Sequence, residues 1–312
     1  ADTSLEMWEI NYSGGVWGAW TIRTDTLAIH KSTAAEISAI TAKALPTNAD
    51  YLLIEDAADS NNKKSVLIGS VGAGVYVPKF ITGLTLSNGA DAEHDITIGA
   101  GARSDSTNRY VLQTSAITKQ IDASWAAGTN AGGLFTGSAG ANTWYHIFLI
   151  RKDSDGTIDA GFDTSLTAAH IPAGYTAYGY LGSVLTDASS HILGFIQRGD
   201  LFYWTIPTLD FDNNFTTNAA LITMKVPLGV NCLCYFNDYL DTVSNYLYYY
   251  SSPDVTDMAP SSTVGPLVSG TSAGFTVGQK GCMTNTSSQI RARASYTVPA
   301  KISTIGYKNL SL

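Results

Sequence analysis

Charge is scarce in this 312-residue chain: charged residues make up 14% of it, against 45% hydrophobic, and the formal net charge is −8. An acidic surface gains nothing from displacing counterions on a polyanion, which argues against any nucleic-acid partner. No apolar run approaches the roughly 20 residues that a bilayer span requires, so no membrane insertion is expected. The charge-poor composition also excludes a coiled-coil rod. No segment repeats with a period in the solenoid range. The opening residues Ala1–Glu6 show no basic stretch followed by an apolar one, and no secretion leader is expected there.

Cysteine is equally sparse. Cys232, Cys234 and Cys282 cannot all pair with one another, and none sits in a CxxC or Cys/His ligand pattern. They read as buried free thiols in a chain synthesised in a reducing cytoplasm. The five histidines, His30, His94, His146, His170 and His191, form no HxH or HxxxH pair. No GxSxG, phosphate-loop or dinucleotide fingerprint occurs, since Gly69–Gly74 has the wrong spacing. The sequence therefore offers no catalytic residue, no metal site and no cofactor, and a non-enzymatic protein is expected.

What is abundant is Ser, Thr, Asn, Gly and Ala, with 17 tyrosines and 29 glycines. Short polar side chains and aromatics suit a pleated, half-buried surface, so the composition points to β-structure. The first thirty residues alternate aromatic and polar groups around Gly14-Gly15, the pattern of a hairpin. Thr33-Ala-Ala-Glu36 is a capping box, with Ile37, Ile40 and Ala44 at helical spacing and Pro46 as the stop. A second hairpin is expected from Tyr51–Asp56, an Asn-rich turn and Ser65–Ile68. Gly69, Gly72 and Gly74 then loosen the chain up to Pro78.

From Phe80 onward short alternating runs are punctuated by Gly- or Asn/Asp-rich turns, a spacing typical of sandwiches and barrels. Trp144–Arg151 is apolar on both faces and should be a central strand. Pro207 marks a second boundary. The fold expected is all-β with a small N-terminal α/β attachment module over 1–78. Tandem, jelly-roll-like β-sandwiches are expected over 79–207 and 208–312.

Three stretches carry a family resemblance. Ala49–Asp56 through Lys63-Lys64, following a short capped helix, resembles an N-terminal module of tail-fibre and other virion structural proteins of bacteriophages. Trp144-Tyr145-His146, Asp155–Asp163, Ile171–Tyr175 and Gly182–Asp187 are similar to a β-rich segment of phage and prophage proteins. Val226–Val230, Ser251–Val255, Thr284–Arg293 and Ile305–Tyr307 resemble another recurrent piece of such proteins. The Trp-rich first thirty residues lie outside the resemblance.

The resemblance implies a virion component assembled in the host cytoplasm, a homotrimeric tail fibre or spike that grips a host surface glycan or protein. Other virion proteins would be met through the N-terminal module. Trimer formation also has a physical rationale, because closed symmetric assembly covers strand edges and lets weak sites act together. Two alternatives stay open: a head-attached fibre, collar or adaptor with a purely structural role, and a capsule-degrading tailspike.

The candidate binding residues follow from local pattern. Tyr246, Tyr248 and Tyr250 share one strand face, with Leu247 and Tyr249 on the other. They suit either a glycan-stacking or docking surface, or packing within a sheet or between subunits. Arg291 and Arg293 also share a face, fit to hold an anionic glycan or to pair with acidic neighbours. Trp8, Trp17 and Trp20 form either an attachment surface or the core of a small domain. His146 reads as a hydrogen-bonded core residue. Asp153–Asp159 departs from a calcium loop in its glycine position and missing glutamate, and suits a strand turn. Asp159 and Asp163 stand about 13 Å apart along one strand, too far to act as a glycosidase pair by themselves.

Overall fold

The computed structural model describes residues 79–242, 246–261, 268–270 and 274–312, together with 8–9, 12–13, 15–17, 21–22, 51–56 and 62–67. Two compact units are present, Ala1–Gly69 and Ser70–Leu312. Among the described residues every regular element is a strand, so the chain is all-β there. The helix expected within Thr33–Pro46, and with it the α/β character of the N-terminal module, lies outside the described residues, as does Trp20.

In the first unit β1 (Trp8–Glu9) pairs with β4 (Thr21–Ile22). Strand β2 (Tyr12–Ser13) pairs with β3 (Val16–Trp17), with Gly15 at φ +81° in the turn where a side chain would be strained. A second hairpin joins β5 (Tyr51–Asp56) to β6 (Asn62–Leu67), with Tyr51 opposite Leu67.

The second unit is built on three larger sheets and one small one. The small sheet runs β11 (Val111–Thr114), β10 (Gly101–Ser104), β7 (Ile81–Gly83). A seven-stranded sheet runs β16 (Tyr175–Leu185), β14 (Trp144–Lys152), β15 (Ile158–Asp163), β13 (Ala131–Leu134), β12 (Ile117–Ser124), β9 (Asp95–Ile98), β8 (Leu86–Asn88). It is mixed, because β13 lies parallel to both β12 and β15. A five-stranded sheet runs β17 (Phe195–Arg198), β18 (Leu201–Phe215), β25 (Val298–Asn309), β20 (Cys232–Thr242), β23 (Gly274–Met283). The fourth runs β19 (Ala220–Thr223), β24 (Gln289–Ala294), β21 (Tyr246–Ser251), β22 (Val268–Gly270).

One strand of this set was plain from its residues. In β14, Tyr145 through Ile150 are all buried, and β15 and β16 flank it on either side. A strand covered on both faces has no place for polar alternation, which is why its sequence is an apolar run interrupted by His146 alone between Tyr145 and Ile150.

The five-stranded sheet is a shared layer. Its Trp204 and Tyr307 pack against Trp144 of the seven-stranded sheet, with Trp144 and Trp204 ring centres 5.9 Å apart. Phe202 and Tyr307 stack at 5.1 Å. Farther along, Phe215 and Phe236 of the same sheet meet Tyr250 of the four-stranded sheet edge-on, at 5.8 and 5.0 Å. A continuous apolar core thus runs from Leu84 to Tyr307, and a second, smaller cluster gathers Phe148, Ile150, Ala168 and Tyr175.

This arrangement corrects the expected division into 79–207 and 208–312. Pro207 lies inside β18, and residues 70–312 form one unit. Proline cannot donate to a ladder, but the β18–β25 register shifts between Tyr203 and Thr208, and the bulge accommodates it. The three cysteines are free and buried in this core, where desolvation raises the Cys232 thiol to about 12 and the Cys282 thiol to about 11.

Candidate functional site

Tyr248 and Tyr250 share a face as the alternation demands, but these two side chains point inward. Tyr248 and Tyr250 are 0% and 2% exposed. The Tyr250 hydroxyl donates to Asp238 Oδ2 at 3.1 Å, while burial raises the Asp238 carboxyl above its usual range. A surface role for Tyr248 and Tyr250 is therefore replaced by a packing role. The ring partners of Tyr250, Phe215 and Phe236, lie on two other strands, β18 and β20, so the pattern within β21 alone could not reveal which face is covered. Tyr246 lies in β21 opposite Gly270.

The opposite face of β21 is the open one. Tyr249 is half-buried and stands directly across from Arg293 on β24, with Ser251 across from Arg291. Arg291 donates to the carbonyls of Val255 at 2.8 Å and Pro253 at 3.0 Å, and Arg293 Nη1 to Asp257 Oδ2 at 2.7 Å. Both arginines thus fasten the 252–257 loop to the sheet, and pairing with an acidic neighbour is realised within the chain.

That loop forms one wall of a cleft of about 460 Å³ at the ends of β20, β21 and β23. Tyr249, Leu233 and Met283 supply apolar surface, while Asn231, Ser252, Asp254 and Thr284 supply donors and acceptors. Asn231 Nδ2 stands 3.4 Å from both Asp254 Oδ2 and the Thr284 carbonyl, long contacts that leave hydrogen-bonding capacity for a guest. An aromatic face beside an amide and a carboxylate is a combination that recognises a sugar ring and its hydroxyls.

A second polar group lies on the seven-stranded sheet. His146 is the register partner of Asp163 on one side and Ser183 on the other, which brings Ser, His and Asp into one row. The row lacks a nucleophile's geometry. His146 Nδ1 contacts Ser183 Oγ at 2.8 Å, whereas Asp163 accepts from the Ser165 and His170 amides at 3.0 and 2.9 Å and faces His170 Nδ1 at 2.9 Å. A catalytic histidine would need its two nitrogens divided between the serine and the carboxylate. All three residues of the row are buried. Ser183 Oγ continues to the Tyr180 hydroxyl at 2.7 Å, and Asn309 Nδ2 donates to that hydroxyl at 2.9 Å, so the row leads into β25.

Burial pushes the His146 imidazole down to about 4, against the attraction of Asp163. An unfolded chain binds that proton near pH 6.5 and the folded one does not, so stability falls as pH drops from about 6.5 to 4. The expected cost is on the order of 3 kcal/mol at the low end. In urea titrations at several pH values, stability should fall between pH 6.5 and 4 more steeply for wild type than for His146→Gln; equal acid sensitivity would refute the assignment.

Asp159, the other carboxylate of β15, accepts from the Gly128 amide at 2.8 Å and pairs with Lys119 Nζ at 3.1 Å. Lys119 is fully buried, donates to the carbonyls of Ala126 and Gly128 at 2.6 and 2.9 Å, and lies over the Trp125 ring at 5.3 Å. The signal was present in Ile117-Thr-Lys119-Gln-Ile121, where alternation aligns the lysine with two isoleucines. The Asp153–Gly156 segment is a turn, with Asp155 Oδ1 accepting from Thr157 N at 2.9 Å and Gly156 at φ +79°. Among the described residues no group of histidine, cysteine and acids is arranged to hold a metal. Trp8 and Trp17 sit in β1 and β3, opposite Ile22 and Tyr12.

No protein-family model matches the chain, and no curated protein does. Among solved structures, it is similar to a chain in the structure of infectious bursal disease virus, Gx strain, at 12% identity and a TM-score of 0.21. That match covers 72% of this chain and 69% of that one. A likeness of this degree fixes neither fold nor function.

Proposed function

We propose that this chain is a non-enzymatic structural protein of a virion, a tail fibre or spike whose Tyr249 cleft holds a glycan of the host surface. The observation that carries the reading is the cleft itself, in which the half-buried Tyr249, Asn231 and Asp254 converge against a loop fastened by two arginines. The carboxylates Asp159 and Asp163 are consumed by internal bonds, which favours gripping over hydrolysis. The β-rich architecture and the resemblance of the 144–187 and 226–307 stretches to phage fibre pieces support a virion location.

Copies would associate through the outer face of β17 and β18, where Ile206 is 78% and Leu209 55% exposed beside Ile196 and Tyr203. Apolar side chains gathered in this way are a common mark of an interface. Three copies in one assembly would multiply a weak sugar contact into a firm hold.

The test is an array of bacterial surface glycans probed with the full chain, alongside light scattering. Binding by wild type, weakened about fivefold in Tyr249→Ala by loss of about 1 kcal/mol of stacking, is the expected result. Failure to bind any surface glycan would overturn the receptor role, and release of cleaved sugars would establish an enzyme instead. A monomeric mass at micromolar concentration would refute the trimer.

A further inference from the structure

A second cleft, of about 370 Å³, opens on the β10–β11 side of the unit and contains a buried arginine. Arg103 is only 6% exposed, yet its guanidinium is sparsely bonded. Nε donates to the Ser104 carbonyl at 3.0 Å, and buried Nη1 has no hydrogen-bond partner. Leaving a cationic donor buried and unmatched is costly, so such groups normally have a partner in the functional state.

The nearest carboxylate does not fill that role. Asp105 accepts from the backbone amides of Thr107, Arg109 and Tyr110 at 3.0, 2.7 and 2.7 Å, and from the Thr107 hydroxyl as well. Its bonding capacity is committed to shaping the 105–110 loop. Arg103 is meanwhile fixed in place by Gly179: a Cβ there would stand 2.5 Å from Arg103 Nε, so the guanidinium lies against bare backbone. Desolvation lowers its pKa to about 10, which still leaves it charged at neutral pH.

The rest of the cleft suits a sugar. Tyr178 gives it an aromatic wall, Ser106 and Asn108 give it neutral polar groups, and exposed Lys79 stands at its margin. Its volume suits a single small ring. One buried guanidinium with an unfilled donor calls for one planar monoanion, and guanidinium–carboxylate geometry is complementary. The carboxylate of Asp105 in the same lining disfavours a doubly charged phosphate.

We infer that the Arg103 cleft binds the carboxylate of an acidic sugar, with Ser106, Asn108 and Tyr178 receiving the ring. The inference rests on the glycan-binding reading above and adds to it a subsite with a defined charge preference.

The test uses the full chain, followed by amide NMR, with sodium glucuronate and N-acetylneuraminate as probes, glucose as the neutral control and sodium sulfate as the anion control. Saturable shifts at residues 104–108 and 178–180 with an acidic sugar, and not with glucose or sulfate, are expected. Arg103→Gln should weaken that binding roughly tenfold to a hundredfold, as loss of a charged hydrogen bond does. Arg103→Lys, which keeps the charge without the planar fork, should fall between the two, and Tyr249→Ala should leave it unchanged. Because the wild-type titration stands alone, a variant that fails to fold does not protect the inference. Absence of shifts with both acidic sugars overturns it, as do equal shifts with sulfate, which would reduce the cleft to a general anion pocket. Array binding that survives such a result and depends on Tyr249 would leave the proposed function standing while this subsite falls.

Discussion

Lys119→Met is expected to lower the stability of the 70–312 unit by about 3–5 kcal/mol, the usual cost of removing one partner from a buried ion pair. The substitution leaves the Asp159 carboxyl, at 3% exposure, without its main counter-charge. It also deprives the Ala126 and Gly128 carbonyls of their donor, so the 126–128 segment loses its attachment to the sheet. The double variant Lys119→Met/Asp159→Leu should recover a large part of the loss, because two apolar groups demand no solvation. Urea midpoints of the single and double variants provide the check. A single variant as stable as wild type would mean that the pair contributes nothing, and a double variant worse than the single would mean that shape and not charge is the determinant.

The second large effect concerns the shared sheet. A fragment spanning 79–207 is expected not to fold, and 208–312 likewise. Division at Pro207 splits β18 within its ladder to β25, and it separates Trp144 from Tyr307. Each fragment would expose one side of a core that buries Phe202, Trp204, Phe215 and Tyr307 together. At roughly 25 cal/mol per Å² of apolar surface, losing several aromatic side chains from the interior exceeds the few kcal/mol by which small domains are stable. Wild-type 70–312 should melt in one calorimetric transition, while the fragments should show collapsed amide spectra. Two independent transitions, or a well-dispersed spectrum from either fragment, would reinstate separate sandwiches.

These outcomes mark where sequence reading succeeds and where it stops. β14 and the β5–β6 hairpin are legible because their information is local: an apolar run broken only by His146 in one, two runs about an Asn-rich turn in the other. β23 is less so, since Gly274, Gly278 and Gly281 dilute its alternation, and it is a strand because β20 offers it ten register partners. The tyrosines of β21 show the limit more sharply. Period-two spacing groups Tyr248 with Tyr250 correctly, but only Phe215 and Phe236 decide that this group is the covered one. Once that is known, Tyr249 follows as the residue facing outward. Arg103 sits in Gly101-Ala-Arg103-Ser104, beside glycines that suggest a turn, and its burial depends on Gly179 some 76 positions later (179 − 103). Proline at 207 misleads for a similar reason, because a bulge opposite Thr304 and Gly306 removes the penalty that a regular ladder would impose.

β25 stands between β18 and β20, although among the described strands it comes after both in the sequence, beginning only at Val298. During synthesis, β14, β16 and β18 therefore leave the ribosome long before the partner that joins their two layers. The nascent chain must wait with Trp144, Phe202 and Trp204 uncovered until residues near 300 emerge. Pairings of such long sequence separation also close slowly. Translation speed and chaperone occupancy during that interval thus become determinants of yield, and a ribosome stalled shortly before Val298 would hold a chain rich in finished strands with no finished core.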